Sequence, residues 1–402
     1  MSSTATGLRF ASALSCHEQT AVAVRDVVEQ LEASMDGEAD LVVAFATGAH
    51  VNRFDLVQRS LEHALKPQVL VGCSAEGVVG VQHEQEREPG ISVLAARLPN
   101  VTLRPFRYDQ LDLNALADAP DMLLEQTGTK GMDISALLML ADPFSTPLVK
   151  LLPAMNEAWG GAAIFGGMAS SGRSAGENRL VADGQIIAEG AVGVAIGGAV
   201  DVGCVVSQGC RPIGQPFVIT RAHRHIVQEL GGRGALAVLQ DMASQLSEED
   251  KDLVRTNNLM VGRVINEYKD RFGRGDFLMR GLLGVDPDSG YVAIGDPQVR
   301  VGQTIQFHVR DRVTAREDFE LLLDAQKLHD KPMGMLLCTC NGRGTRLFDQ
   351  PHVDASIVHR AFGDVPLAGF FAAGELGPIG GETFLHGHTA SLVTFRELKS
   401  GD

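Results

Sequence analysis

Two stretches near the C-terminal end carry the densest chemistry in this 402-residue chain: CTCNGRGTRLF (338–348) and AAGELGPIGGETFLHGHTASL (372–392). Each follows an apolar run that reads as a strand. If those strands are neighbours in one sheet, their ends gather Cys340, Asn341, Arg343, Gly374, Glu375, His386, His388 and Thr389. Arg343 could clamp a carboxylate through two parallel N–H bonds. Asn341 could read an amide or amine, and Glu375 could take an ammonium group. The set complements an amphoteric small molecule such as an amino acid. Cys340 with His388 would form a nucleophile and base, although a cysteine on a buried strand more often only packs. His386 and His388 share a face if extended, but the spacing offers no third ligand, so no metal is expected.

A second set of candidates lies in glycine loops. VGCSAEGVVG (71–80), FGGMASSGRS (165–174) and AGFFAAGELG (368–377) each place two glycines five residues apart at the end of an apolar run. The pairs are Gly72/Gly77, Gly167/Gly172 and Gly369/Gly374. Glycine permits close approach by a backbone or a ligand, and the carboxyl ends of strands in open α/β sheets are common binding places. Gly72, Ser74, Gly167, Ser170 and Ser171 are therefore ligand-binding candidates, with turn chemistry alone as the plainer alternative. GMASSGRS (167–174) approaches a phosphate-loop pattern, but Arg173 stands where lysine belongs and no helix follows. GRGALA (232–237) approaches a dinucleotide pattern without the acidic residue that should follow. No cofactor is expected.

These segments need elements to position them. Three sets of elements share the order strand–helix–strand–helix–strand–strand, in units of about 95 residues. The first runs from LRFASALS (8–15) to GISVLAARL (90–98), the second from VTLRPFR (101–107) to GAVGVAIGG (190–198), and the third from TIQFHVR (304–310) to ASLVTF (390–395). Residues 204–300 offer a degenerate fourth set without the glycine loop. Continuous apolar strands joined by helices predict an α/β fold with sheets buried on both faces. Two pseudo-symmetric halves are expected, residues 1–200 and 201–402, with GGAVDVG (197–203) as the seam.

Composition narrows the function. Lys and Arg total 35 against 50 Asp and Glu, a formal charge of −15 that opposes nucleic-acid binding. Three Tyr and one Trp leave few faces for stacking bases. The first ten residues lack a basic segment followed by an apolar one, and no long apolar run predicts a membrane span. The six cysteines form no C-x-x-C and read as reduced thiols. A cytoplasmic protein is expected.

LVVAFAT (41–47) with VLVGCSAEGVVG (69–80) resembles the N-terminal module of the FIST family, the F-box and intracellular signal transduction proteins. GCRPIGQPFVITRAHRHIVQELGGRGALAVL (209–239) resembles its C-terminal module. So does CNGRGTRLF (340–348) with PLAGFFAAGELGPIGGETFLHGHTASLVTF (366–395). The resemblance spans about residues 8–396. It implies a sensory module for small ligands, amino acids among them, and brings no catalytic residues with it. No F-box, kinase or chemoreceptor segment is seen, so output is expected through a downstream signalling protein or through self-association. Two other readings stand beside the sensor. One is a cysteine-dependent enzyme acting on an amide or thioester through Cys340 and a histidine. The other is a protein-interaction adaptor.

Overall fold

A computed structural model describes residues 7–398 apart from positions 36, 110, 257, 270 and 274. The chain opens with strand β1 (Arg9–Ser15), helix α1 (Thr20–Ser34), strand β2 (Leu41–Thr47), helix α2 (Phe54–Leu65) and strand β3 (Val69–Ala75). A hairpin of β4 (Gly77–Gly80) and β5 (His83–Glu86) leads to β6 (Ile91–Arg97). In α1, Ala23, Val24, Val27 and Leu31 recur at helical spacing and bury as one face. Every residue of β2 and β3 is buried, as expected of apolar strands covered on both faces.

A similar order follows: β7 (Val101–Tyr108), α3 (Leu113–Ala117), α4 (Pro120–Gln126), β8 (Ala136–Ala141), α5 (Leu148–Ala158) and β9 (Ala163–Met168). The hairpin β10 (Leu180–Ala182) and β11 (Gln185–Ile187) then precedes β12 (Ala191–Gly198) and β13 (Val200–Ser207). Next come β14 (Cys210–His223), β15 (Ile226–Leu230), β16 (Arg233–Gly234), α6 (Ala235–Ser244), α7 (Glu248–Arg255) and β17 (Leu259–Val264). They are followed by β18 (Phe277–Asp286), β19 (Tyr291–Ile294), β20 (Thr304–Arg310), α8 (Arg312–Gln326) and β21 (Gly334–Cys340). The chain ends with α9 (Val353–Phe362), β22 (Leu367–Ala372), the hairpin β23 (Glu375–Ile379) and β24 (Glu382–His386), and β25 (Ala390–Glu397).

Two compact units result. One joins the residues up to Ser207 with those from Glu320 onward; the other is Gln208–Phe319. The first unit holds three six-stranded sheets, ordered β1-β6-β2-β3-β10-β11, β7-β12-β8-β9-β23-β24 and β13-β25-β21-β22-β4-β5. The central pairs β2–β3, β8–β9 and β21–β22 are parallel. Each sheet is completed by a hairpin from elsewhere in the chain: β10–β11 joins β3, β23–β24 joins β9, and β4–β5 joins β22. The three sheets share one apolar core that includes Val43, Val71, Leu138, Phe165, Leu336 and Phe370. Phe45 stacks on Phe370 there at 4.6 Å between ring centroids. Val27 of α1 and Leu61 of α2 cover the opposite face of the first sheet, while Leu151 and Met155 of α5 cover the second.

Several expectations change. TIQFHVR (304–310) is β20, paired with β14 and β17 in the second unit. The edge strand of the third sheet is instead β13, paired with β25 from Val200↔Glu397 to Ser207↔Ala390. Residues 208–319 thus enter the chain after that strand and run into helix α8. The division expected at residue 200 falls inside the first unit, where β12 and β13 are separated by Ala199 alone. Nor do residues 204–300 repeat the order of the other sheets. The second unit pairs its strands antiparallel throughout, in the order β14-β20-β17-β18-β19-β15-β16, and β14 also pairs with β15 so that the sheet closes. Val238, Val261 and Phe307 lie in its core.

The glycine spacing also shifts by one residue. A Cβ on Gly72, Gly166 or Gly369 would lie 2.2, 2.1 or 2.0 Å from the carbonyl oxygen of Ala44, Met139 or Leu337. These three glycines face the neighbouring parallel strand in matching register. Gly166, not Gly167, is therefore the partner of Gly72 and Gly369. Among the described residues no helix is long and apolar enough to cross a membrane.

Candidate functional site

The strands β21 and β22 lie side by side, with Cys340 opposite Ala372. Several of the polar residues beyond them turn inward. Arg343 is 0% exposed, and its Nε and Nη2 donate to Asp354 Oδ2 and Oδ1 at 2.8 and 2.7 Å. Its guanidinium also lies over the Phe348 ring, 5.3 Å from the centroid. The fork expected to clamp a ligand is filled by the protein's own carboxylate, supplied by the first turn of α9.

Glu375 is equally buried. Its Oε2 accepts from Thr389 N at 3.1 Å and Thr389 Oγ1 at 2.7 Å, and burial pushes its carboxyl up to about 8. The Cys340 thiol is close enough to hydrogen-bond it. Glu84 on β5 is also pushed up to about 8, by burial first and by the Asp354 charge second. Its Oε1 accepts from Ala355 N at 2.7 Å. His386 Nε2 lies 2.9 Å from the Gly377 carbonyl, which makes that nitrogen a donor. His388 takes a left-handed backbone with φ of 64°. Arg343, Glu375, His386 and Thr389 are thus engaged by partners within the protein. This corrects their reading as a ligand clamp.

The glycine loops have a mutual role. The ends of β3, β9 and β22 meet in a ring at equivalent positions. Ser170 N donates to the Ser74 carbonyl at 3.2 Å, and Ala373 N donates to the Met168 carbonyl at 3.0 Å. The third link is indirect. Glu76 N donates to Ser170 Oγ at 2.8 Å, and the Ser170 hydroxyl donates to the Phe371 carbonyl. Ser74 Oγ accepts from Arg179 N at 2.8 Å and touches Ser171 Oγ at 2.7 Å. Ser171 also bonds Asn178 Oδ1 at 3.0 Å. A Cβ on Gly167 would meet the Gly374 carbonyl at 2.7 Å, and one on Gly374 would meet Met168 Cε at 2.6 Å. Gly72, Gly167 and Gly374 therefore serve close backbone packing instead of ligand contact.

A cleft of about 450 Å³ opens beside this ring. Thr47 and Ala75 bring to it the carboxyl ends of two parallel strands. Glu76, Arg87 and Glu88 line one part, Ser170, Ser171 and Arg173 a second, and Asn341 and Arg346 a third. Elements of all three sheets of the first unit contribute. Arg346 holds Glu76 from two nitrogens, Nη2 to Oε1 at 2.6 Å and Nη1 to Oε2 at 3.1 Å. Its Nη1 also donates to the Asn341 carbonyl at 2.5 Å. Arg87 Nη2 donates to Thr345 Oγ1 at 2.7 Å. Three guanidinium groups, two carboxylates and several hydroxyls can thus meet an anionic group and a cationic one on the same small molecule.

Of the residues expected from sequence, Ser170, Ser171 and Asn341 line this cleft. Arg343, Glu375, His386, His388, Thr389, Ser74, Gly72, Gly167 and Gly374 do not. Glu76, Arg87, Arg173 and Arg346 escaped the sequence reading. Arg346 follows Arg343 by three residues, so spacing alone does not tell which of the two faces a ligand. Among the described residues no group of three His, Cys, Asp or Glu side chains could hold a metal ion.

Known protein families match most of the chain. Residues 40–233 match the FIST N domain, and residues 235–378 match the FIST C domain. An uncharacterized protein of Mycobacterium tuberculosis strain H37Rv is 37% identical over 361 residues, covering 89% of this chain and 92% of that one. An uncharacterized protein of Mycobacterium bovis is 39% identical over 369 residues, covering 91% of this chain and 93% of that one.

Proposed function

The chain belongs to the FIST family, and on that footing we propose that it is a sensor of a small amphoteric ligand, an amino acid or a related metabolite. FIST domains are associated with sensory roles in signal transduction. The observation that carries the ligand reading is the cleft at the ring of strand ends. It has the size of a small-molecule site, lies at the carboxyl ends of parallel strands, and pairs Arg346 with Glu76 in its wall. Output runs through a downstream signalling protein or through self-association, in the cytoplasm. Thiol chemistry has less support, because Cys340 is 5% exposed and its neighbour is a buried carboxyl group.

A thermal-shift panel of amino acids and organic acids tests this reading, with Arg346→Ala beside the unaltered protein. A ligand at about 100 times its dissociation constant adds about 2.7 kcal/mol of stability. The expected result is a shift for one chemical class that disappears in Arg346→Ala. A shift that survives the substitution would move the site elsewhere. A complete panel without any shift would remove the sensor reading.

A further inference from the structure

We infer that the Glu76 side chain is an internal occupant of the ligand's acid-binding place, and that a ligand enters by replacing it with a carboxylate of its own. The inference rests on reading the cleft as a ligand site and adds what that site selects and how it is held when empty.

The geometry is that of a guanidinium holding a carboxylate with two prongs, Nη2–Oε1 at 2.6 Å and Nη1–Oε2 at 3.1 Å. The partners are not neighbours in the chain. Glu76 lies between β3 and β4, and Arg346 ends a short helical turn, Gly344–Arg346, after β21. Both line the cleft, with side chains 23% and 44% exposed. Solvent reaches the pair, and a pair so exposed contributes little net stability, so exchanging one carboxylate for another is easy. Arg343–Asp354 makes the contrast. It has the same two-pronged form, but its side chains are 0% and 1% exposed, and no solute can compete for it.

Two further contacts suit exchange. Arg346 keeps its place without Glu76, because Nη1 also donates to the Asn341 carbonyl at 2.5 Å. The backbone of Glu76 is held by Ser170 Oγ at 2.8 Å, so only its side chain has to swing. A displaced Glu76 stays at the wall of the cleft, where it can meet the cationic end of the incoming molecule. The internal carboxylate also sets a threshold. The apparent affinity is the intrinsic affinity multiplied by the fraction of molecules in which Arg346 is unoccupied.

Small-anion complementation tests the idea without knowing the natural ligand. Glu76→Ala vacates the fork, and acetate is small enough to fill it. The thermal midpoint is read against acetate concentration at constant ionic strength, with inorganic phosphate as a second arm. The protein, Glu76→Ala, and the double variant Glu76→Ala/Arg346→Ala are compared. The expected result is a saturable acetate shift in Glu76→Ala alone, with phosphate weaker. Equal acetate responses in all three proteins would overturn the inference, and a phosphate response exceeding that of acetate would overturn the carboxylate assignment. Should Glu76→Ala fold poorly, Glu76→Gln keeps the shape without the charge. It must then show an acetate shift absent from the unaltered protein, and no such shift would overturn the inference. The readout needs no metabolite. A blank metabolite panel with positive acetate complementation would sink the sensor and keep the exchangeable fork. A metabolite that binds through Arg346 without acetate complementation would do the reverse.

Discussion

Arg343 and Asp354 face each other along two parallel hydrogen bonds of 2.8 and 2.7 Å in a place that water does not reach. Removing one partner of a buried pair leaves an uncompensated charge and typically costs about 3–5 kcal/mol. Arg343→Ala is therefore expected to lower the urea midpoint severely, and Arg343→Met with Asp354→Leu much less, because no lone charge remains. A loss below about 1 kcal/mol in the single variant would show that the pair is not integral to the fold.

The buried glutamates make stability depend on pH with a definite sign. Glu84 and Glu375 rise from an ordinary value of 4.5 to about 8. The folded state then holds protons that the unfolded chain has already released. Their contribution is fully present below pH 4.5 and is lost as pH rises through about 8. His50 and His308 are lowered from 6.5 by burial, His308 to about 4, and they act with the opposite sign below 6.5. The clean window is pH 6.5 to 8, where unfolding free energy should fall by about 1 kcal/mol per pH unit for each glutamate. Urea titrations across that window check it. Glu84→Gln and Glu375→Gln should each flatten the slope, and an unchanged slope in both variants would refute the assignment.

The three packed glycines should behave alike. A methyl group at Gly72, Gly166 or Gly369 would meet a carbonyl oxygen of the adjacent strand at 2.0–2.2 Å. Strand separation would have to change, and overpacking of this kind costs about 1–3 kcal/mol or more. Each alanine variant should lower the thermal midpoint by a similar amount. Gly387→Ala serves as the control, since nothing lies within 4 Å of its Cβ position. A neutral Gly72→Ala would show that the sheet yields there.

How far the fold could be read from sequence follows from what is local. The runs that became β2, β3, β8, β21 and β22 are apolar on both faces because both faces are covered, so their composition announces them. The choice of edge strand is not local. VDVGCVVS and TIQFHVR both alternate, and only tertiary pairing sends the first to β25 and the second to β14. Hairpin exchange leaves no mark on composition either. Two adjacent glycines, Gly166 and Gly167, hid which one approaches a carbonyl. At the site, Ser170, Ser171 and Asn341 were legible because they follow strand ends. Arg343 was misjudged because its partner Asp354 sits on a helix that spacing cannot bring near.

The exchanged hairpins bear on how such a chain is made. The β4–β5 hairpin is complete at Glu86, yet the strand it must join, β22, begins at Leu367. A ribosome therefore delivers an unpaired strand edge long before its mate exists. Contacts of such high sequence separation slow folding and leave edges open to other chains in the meantime. The first sheet needs residues up to Ile187 and the second needs residues up to His386, so neither becomes whole when its own strands have been synthesised. Truncation anywhere between β5 and β22 would leave the β4–β5 hairpin without its mate, its strand edge open to other chains.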